Sequence, residues 1–172
     1  RVFTINDRDF PDPKRMNKYL HDNGFHSVYM IDPGVKVDDN YFVYKTGKEQ
    51  NAFVCDIYRN EFHGKVWPGA CAFPDFTRPE TRTWWSGLYK DFMANGIDGI
   101  WNDMNEPSVF DGPGGTMPEN NIHLGGGNLP IGSHLMYHNA YGRLMVEASY
   151  NGMMAANPGK RPFLLSRSNI IG

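Results

Sequence analysis

The sequence predicts an α/β domain built as part of a (β/α)8 barrel, with about three to four βα units and long βα loops. Three observations carry that expectation. A unit of helix, glycine stop, short apolar strand and polar strand-end residue occurs three times along the 172 residues. The stretches after the first two strands, residues 33–76 and 104–132, are long, as barrel loops at the C-terminal face often are. No glycine fingerprint of a dinucleotide fold follows any strand, which weakens the competing open, doubly wound sheet. A complete barrel takes about 250 residues, so the whole of 1–172 reads as the central part of one catalytic barrel domain. Such a piece would leave two parallel edge strands uncovered.

Each element has a local reason. Asp12-Pro13 reads as N-cap and first helical residue; Met16, Tyr19 and Leu20 make a stripe, and Asn23-Gly24 ends the helix. The strand 25–31 follows and stops at Asp32-Pro33-Gly34. In the second unit Thr77-Arg-Pro-Glu80 reads as a capping box. Trp85, Leu88 and Phe92 face one way, with Trp84 widening the stripe, and Asn95-Gly96 closes the helix before the strand 97–101. The third helix starts near Ser133, with Tyr137, Tyr141, Leu144, Met145 and Ala148 on its apolar side. The strand 162–166 then delivers Arg167.

Composition narrows the class of function. Hydrophobic residues make up 40% and charged residues 21%, and the net charge of −2 is spread without a basic stripe, which argues against nucleic acid. No apolar run reaches the roughly 18 residues a membrane helix needs. The start, RVFTIND, is neither a start methionine nor a signal peptide, and reads as a cut through a longer protein. Cys55 and Cys71 make no disulfide framework and read as two buried thiols, with a single bridge as the alternative. The cellular compartment and the oligomeric state stay open.

The chemistry concentrates in GIWNDMNEPSVF, residues 99–110. Asp103 stands where a strand ends, two residues after Trp101, so the two can share a side. An indole offers a flat wall to a sugar ring, and a carboxylate beside it can attack or stabilise an oxocarbenium-like centre. Pro107 lacks an N–H and turns the chain into a loop. Asp32 and Arg167, at the ends of the flanking strands, would point into the same bowl. Asp32, followed by Pro-Gly, also suits a plain turn. Gly125-Gly-Gly127 lacks the Lys and Ser/Thr of a phosphate loop and reads as a flexible loop. His134 and His138 are spaced to chelate a metal, but lack the glutamate and third ligand of such sites and read as helix-surface histidines. Asp7, Asp9, Asp38 and Asp39 lack calcium-loop spacing and read as solvated charges.

With these residues in view, DGIWNDMNEP, residues 98–107, resembles the nucleophile signature of glycoside hydrolase family 31, the α-glucosidases and α-xylosidases. Ile31-Asp-Pro-Gly34, Val66-Trp-Pro-Gly69, Phe73-Pro-Asp75, Trp84-Trp85 and Leu165-Ser-Arg-Ser168 are similar to that family in order and spacing, so the likeness runs through nearly the whole chain. The resemblance implies a retaining, exo-acting α-glycosidase acting on terminal α-linked glucose or a related sugar, with no metal and no organic cofactor. It implies Asp103 as nucleophile, Trp101 and Met104 flanking the −1 sugar, Trp67 lining the pocket, and Arg167 bonded to sugar hydroxyls. Asp32 would lie near the pocket floor and Ile31 beside it. Glu106 is expected to support Asp103 or its loop rather than to donate the proton. The family's acid/base aspartate is expected beyond Gly172, and a second sugar-binding aspartate before Arg1, so the 172 residues alone are expected to be inactive. An α-glucan lyase of the same family, and a non-catalytic carbohydrate-binding or structural protein, remain the alternatives.

Overall fold

The computed structural model describes residues 1–168 and Ile170. In chain order it contains α1 (Pro13–Asp22), β1 (Val28–Ile31), β2 (Val35–Lys36), α2 (Phe42–Glu49), β3 (His63–Val66), β4 (Gly69–Ala72), α3 (Pro79–Met93), β5 (Gly99–Asn102), β6 (Ile122–His123), β7 (Gly132–Ser133), α4 (His134–Ala156) and β8 (Phe163–Ser166).

The three apolar strands pair as expected, in the order β1-β5-β8 and parallel throughout. Their register aligns Met30 with Trp101 and Leu165, and Ile31 with Asn102 and Ser166. Strand alternation therefore gives the sheet two different faces. The face carrying Tyr29, Ile31, Ile100 and Asn102 is covered by helices: Tyr29 meets Phe92 of α3 edge-on, and Ile100 is fully buried. The face carrying Val28, Met30, Phe163 and Leu165 is about half open, which is the inward face of a barrel arc.

Beneath the covered face, α3 packs on α4. Tyr89 donates to Ser149 Oγ at 2.8 Å and Ser86 Oγ to the Ala148 carbonyl at 2.7 Å, while Trp85, Phe76, Tyr141 and Met145 fill the space between. Burying side chains such as Ile100, Phe76 and Met145 stabilises by about 1.5–3 kcal/mol each. The stripe expected of α4 is all buried.

Two helix details differ from the sequence expectation. In α1, Asp12 caps through the Arg15 N–H as anticipated, but Tyr19 is exposed and the buried residue is Asn17. Asn17 Nδ2 donates to the Asn95 carbonyl just beyond the end of α3, a tertiary demand that no local periodicity encodes. Before α3, Thr77 does not cap. The N-cap is Arg78, without a side-chain bond, because the Thr77 hydroxyl is turned to Asp75 Oδ1 at 2.5 Å.

Residues 33–76 carry regular structure. The strands β2-β4-β3 form an antiparallel sheet flanked by α2, and the β3–β4 hairpin turns at Trp67-Pro68. Gly64 in β3 lets the hairpin lie against the loop after β5, since a Cβ there would sit 2.5 Å from Val109 Cγ1. Both cysteines are free thiols, Cys71 buried and Cys55 partly so. Among the described residues, no helix is long and apolar enough to cross a membrane.

Candidate active site

The strand ends bring the charged residues together. Asp103 follows β5 directly and is 8% exposed. Met104 then takes a left-handed backbone (φ 58°), costly for a residue with a Cβ, and the chain folds back so that the Ser108 N–H reaches the Met104 carbonyl at 2.9 Å. The Glu106–Pro107 peptide is cis. Asn105, fully buried, joins this turn to the next strand: its Nδ2 donates to Ser166 Oγ at 3.0 Å, and its Oδ1 accepts the Ser168 N–H at 3.3 Å. Gly142 of α4 passes close underneath, where a Cβ would lie 2.7 Å from the Asn105 carbonyl.

Arg167 is placed by its own N–H, which donates to the Asn102 carbonyl at 3.1 Å. Its guanidinium is held in a fork by Glu106, Nε to Oε1 and Nη2 to Oε2, both at 2.8 Å. Nη2 also reaches Ser108 Oγ at 3.1 Å and Met104 Sδ at 3.2 Å, and Ser108 Oγ donates to Glu106 Oε2 at 2.6 Å. The same Nε lies 3.2 Å from Asp103 Oδ1, yet its single hydrogen is aimed at Glu106. The contact is an ion pair without a hydrogen bond, and Asp103 Oδ1 is buried with no hydrogen-bond partner among the described residues.

Electrostatics separate the carboxyls. Hydrogen bonding to Arg167 and Ser108 outweighs burial and holds Glu106 down to about 2, so it is ionised at neutral pH and has no proton to give. The same bond to Glu106 raises the Arg167 guanidinium further. Asp32 goes the other way: burial, then the charge of Asp103, pushes it up to about 6 against the opposing pull of Arg167. Its Oδ1 is likewise buried and unbonded.

The aromatic residues are less uniform. Trp101 is half-buried on the open face of the sheet, in register with Met30. Trp67, at the hairpin tip, is 73% exposed and meets Phe110 edge-on at 4.9 Å, so the hairpin leans on the loop that begins at Asp103. Ile31 is 1% exposed and lies in register with Asn102, whose side chain donates to the Ile31 carbonyl at 3.3 Å; it is enclosed in the core.

Sequence reasoning passed over two features and misread a third. Ser108 and Asn105 lie within the signature stretch but show no charge or periodic pattern that would mark them as braces. The histidines of α4 are a correction: His134 is 1% exposed, not on the helix surface, and stands between His123 and His138 within hydrogen-bond distance of both. No group of three or more metal-ligating side chains placed to hold an ion is found among the described residues.

A parallel arc whose C-terminal ends gather a buried carboxylate, a clamped arginine and a half-buried tryptophan is the arrangement of part of a (β/α)8 barrel, whose C-terminal face is where such barrels carry their sites. The chain belongs to glycosyl hydrolase family 31: that family's TIM-barrel domain matches residues 1–172 throughout. It is 44% identical over 172 residues to α-glucosidase 2 of Bacillus thermoamyloliquefaciens and 40% identical over 176 residues to human neutral α-glucosidase C, with all of this chain aligned in both. Among solved structures, a family 31 α-glucosidase from Bacteroides thetaiotaomicron superposes with a TM-score of 0.80 at 53% identity, over 98% of this chain and 26% of that one. The catalytic subunit of an ER glucosidase II complex gives 0.88 at 38%, over 98% and 18%. The chain spans about a fifth of the length of the curated relatives, 22% of the first and 19% of the second.

Proposed function

We propose that this chain supplies the nucleophile half of a retaining, exo-acting α-glucosidase. The observation that carries the reading is Asp103 itself: a nearly buried carboxylate at a strand end, two residues after Trp101, with one oxygen that has no hydrogen-bond partner among the described residues and a guanidinium 3.2 Å away. Oδ1 itself is buried beside the guanidinium, so Oδ2 would be the oxygen that bonds to an anomeric carbon.

In the first step Asp103 attacks the anomeric carbon, the glycosidic bond breaks, and the leaving oxygen takes a proton from a carboxylic acid. In the second, water attacks the glycosyl ester, gives its proton back to that residue, and frees the sugar and Asp103. Retaining chemistry needs the two carboxyls about 5–5.5 Å apart, one of them protonated. Glu106 fails the second condition, since Arg167 keeps it ionised. The family resemblance implies an acid on an aspartate outside these residues, and the 172-residue chain by itself is expected not to turn over p-nitrophenyl α-glucoside above an Asp103→Asn control. No metal or organic cofactor is required by this scheme.

Arg167 would bond sugar hydroxyls beside the nucleophile. Met104 and Trp101 would flank the ring, Trp67 would close the pocket from the hairpin, and Asp32 would sit at its floor next to Ile31. A glucosyl substrate is supported by what the relatives hold: glucosidase II α subunits bound to Glc1Man2 and to α3-Glc2, and a Flavobacterium johnsoniae dextranase complexed with glucose.

The test is covalent trapping. A fluorinated glucosyl probe incubated with the full-length protein should leave its label on Asp103, located by peptide mass spectrometry. Label on another residue overturns the assignment, and an anhydro-sugar product from an α-glucan moves the reading to a lyase.

A further inference from the structure

The turn after Asp103 takes hold of Arg167 from both ends. Asn105 is fully buried, and its side chain closes a ring with the last residue of β8 and the chain just beyond. Its Nδ2 donates to Ser166 Oγ at 3.0 Å, Ser166 Oγ donates to the Ser168 carbonyl at 2.6 Å, and the Ser168 N–H returns to Asn105 Oδ1 at 3.3 Å. Arg167 stands between the two serines so pinned. Its guanidinium is forked by Glu106, the residue after Asn105. Asn105 thus grips the backbone on either side of Arg167 while Glu106 grips its head.

The ring has one orientation. A backbone N–H can only donate, so the amide atom facing Ser168 is oxygen and the one facing Ser166 is nitrogen. The Ser166 hydroxyl gives its single hydrogen to the Ser168 carbonyl, which leaves its oxygen to accept from Asn105. Neither aspartate nor leucine can complete the ring, because a carboxylate has no hydrogen for Ser166 and leucine has neither donor nor acceptor. The ring is also seated from below. A Cβ on Gly142 of α4 would lie 2.6 Å from Ser168 Oγ and 2.7 Å from the Asn105 carbonyl, so both sides of the joint rest on one bare position of the helix.

What the ring controls is a small difference in distance. Arg167 Nε lies 2.8 Å from Glu106 Oε1 and 3.2 Å from Asp103 Oδ1, and its one hydrogen is aimed at Glu106. A displacement of Arg167 comparable to that difference would hand the hydrogen to Asp103. A charge-assisted bond at Oδ1 would draw charge from Oδ2, the oxygen assigned to attack. The fork alone does not prevent this. The Glu106 side chain is 34% exposed and long enough to follow the guanidinium. Asn105 is shorter, has no exposed surface and is bonded at both ends of its amide, so it cannot follow.

We propose that Asn105 is a positioning residue of the candidate glycosidase site, fixing Arg167 where its guanidinium hydrogen stays on Glu106 and off Asp103. The proposal rests on the reading of Asp103 as nucleophile and deepens it, by naming the group that sets the distance between that carboxylate and its cation. Asn105 is enclosed and reaches no substrate, so it acts through Arg167.

The test is kinetic, on the full-length protein with p-nitrophenyl α-glucoside. Asn105→Ala should lower kcat about 10²-fold, the scale of misplacing a reacting group by about 1 Å, with KM little changed. Ser166→Ala opens the ring from the other strand by removing one oxygen, and should lower kcat in the same sense by less. The deciding arm is a double-mutant cycle with Arg167→Lys, which keeps the charge but loses the planar fork. In that background Asn105→Ala and Ser166→Ala should each cost much less of kcat than they do beside Arg167. Fold-losses that are the same in both backgrounds mark a merely structural brace and overturn the proposal. So does a loss confined to KM, or a Ser166→Ala protein with the wild-type kcat. If Asn105→Ala does not fold, Ser166→Ala and its cycle decide alone. The fluorinated glucosyl probe separates this from the reading beneath it. Label on a residue other than Asp103 overturns both, whereas label on Asp103 with equal fold-losses in the cycle overturns the positioning role alone.

Discussion

Asp75 and Asp103 are both carboxylates near the end of a strand, both buried, and both close to a basic side chain, yet the fold treats them in opposite ways. Asp75 is saturated: two backbone N–H groups, a hydroxyl and an imidazole converge on it. Asp103 keeps one oxygen unbonded although a guanidinium is 3.2 Å away, because Glu106 has claimed the hydrogen that could have filled it. A fully bonded buried carboxylate holds chain segments together. One whose buried oxygen faces a guanidinium held slightly off its lone pair is costly to the fold. The difference is made by the neighbours, since the residue type is the same.

The comparison is broken most directly at Asp103. Asp103→Asn in the full-length protein should lower kcat by about 10⁴-fold or more, the scale seen when a covalent nucleophile is removed, with an unchanged unfolding midpoint. Steady-state kinetics beside a thermal melt would check it, and retention of a tenth of the activity would contradict the nucleophile role. Asp75→Ala should do the reverse. It strands His123 and two backbone donors, and should cost about 3–5 kcal/mol of stability, read as a lower denaturant midpoint, while the folded protein at pH 7 keeps its turnover.

Glu106→Gln sharpens the contrast. It weakens the fork on Arg167 and frees the Nε hydrogen to bond Asp103. We expect kcat to fall about 10²-fold, the scale of a roughly 1 Å misplacement of a reacting group, with KM changing little. If the loss appears in KM alone, Arg167 is held for binding and not for tuning Asp103. The smallest effect separates the two residues of α1 that local periodicity misjudged. Asn17→Ala leaves the Asn95 carbonyl without its buried donor and should cost about 1–3 kcal/mol. Tyr19→Ser, on an exposed side chain, should stay within about 0.5 kcal/mol. Equal losses in chemical denaturation would restore the apolar stripe as first read.

Much of the fold was legible because its elements announce themselves locally. Asp12-Pro13 and Asn23-Gly24 bound α1, the apolar runs ending at Ile31, Trp101 and Ser166 give the three parallel strands, and the stripe of α4 is wholly buried. The clustering of candidate residues was legible where motif and strand end coincide, at Asp103 and Arg167. It was not legible at Ser108 and Asn105, which act through partners up to 63 residues away, nor within residues 33–76, where short strands gave no period long enough to read.

Thr77 shows the same boundary from the other side. Thr77-Arg-Pro-Glu80 has the letters of a capping box, but the hydroxyl goes to Asp75 because a buried carboxylate offers a stronger, charge-assisted bond than a helix N–H. His134 and His138 have surface spacing on a helix, and only the approach of His123 from another loop turns one of them into a buried link. The sequence by itself determined the helices, the parallel strands and the charged residues at their ends, because propensity, capping and alternation act over a few residues. Which carboxylate is saturated and which is left open was decided by tertiary structure, because hydrogen bonds are directional and their partners lie dozens of residues apart along the chain.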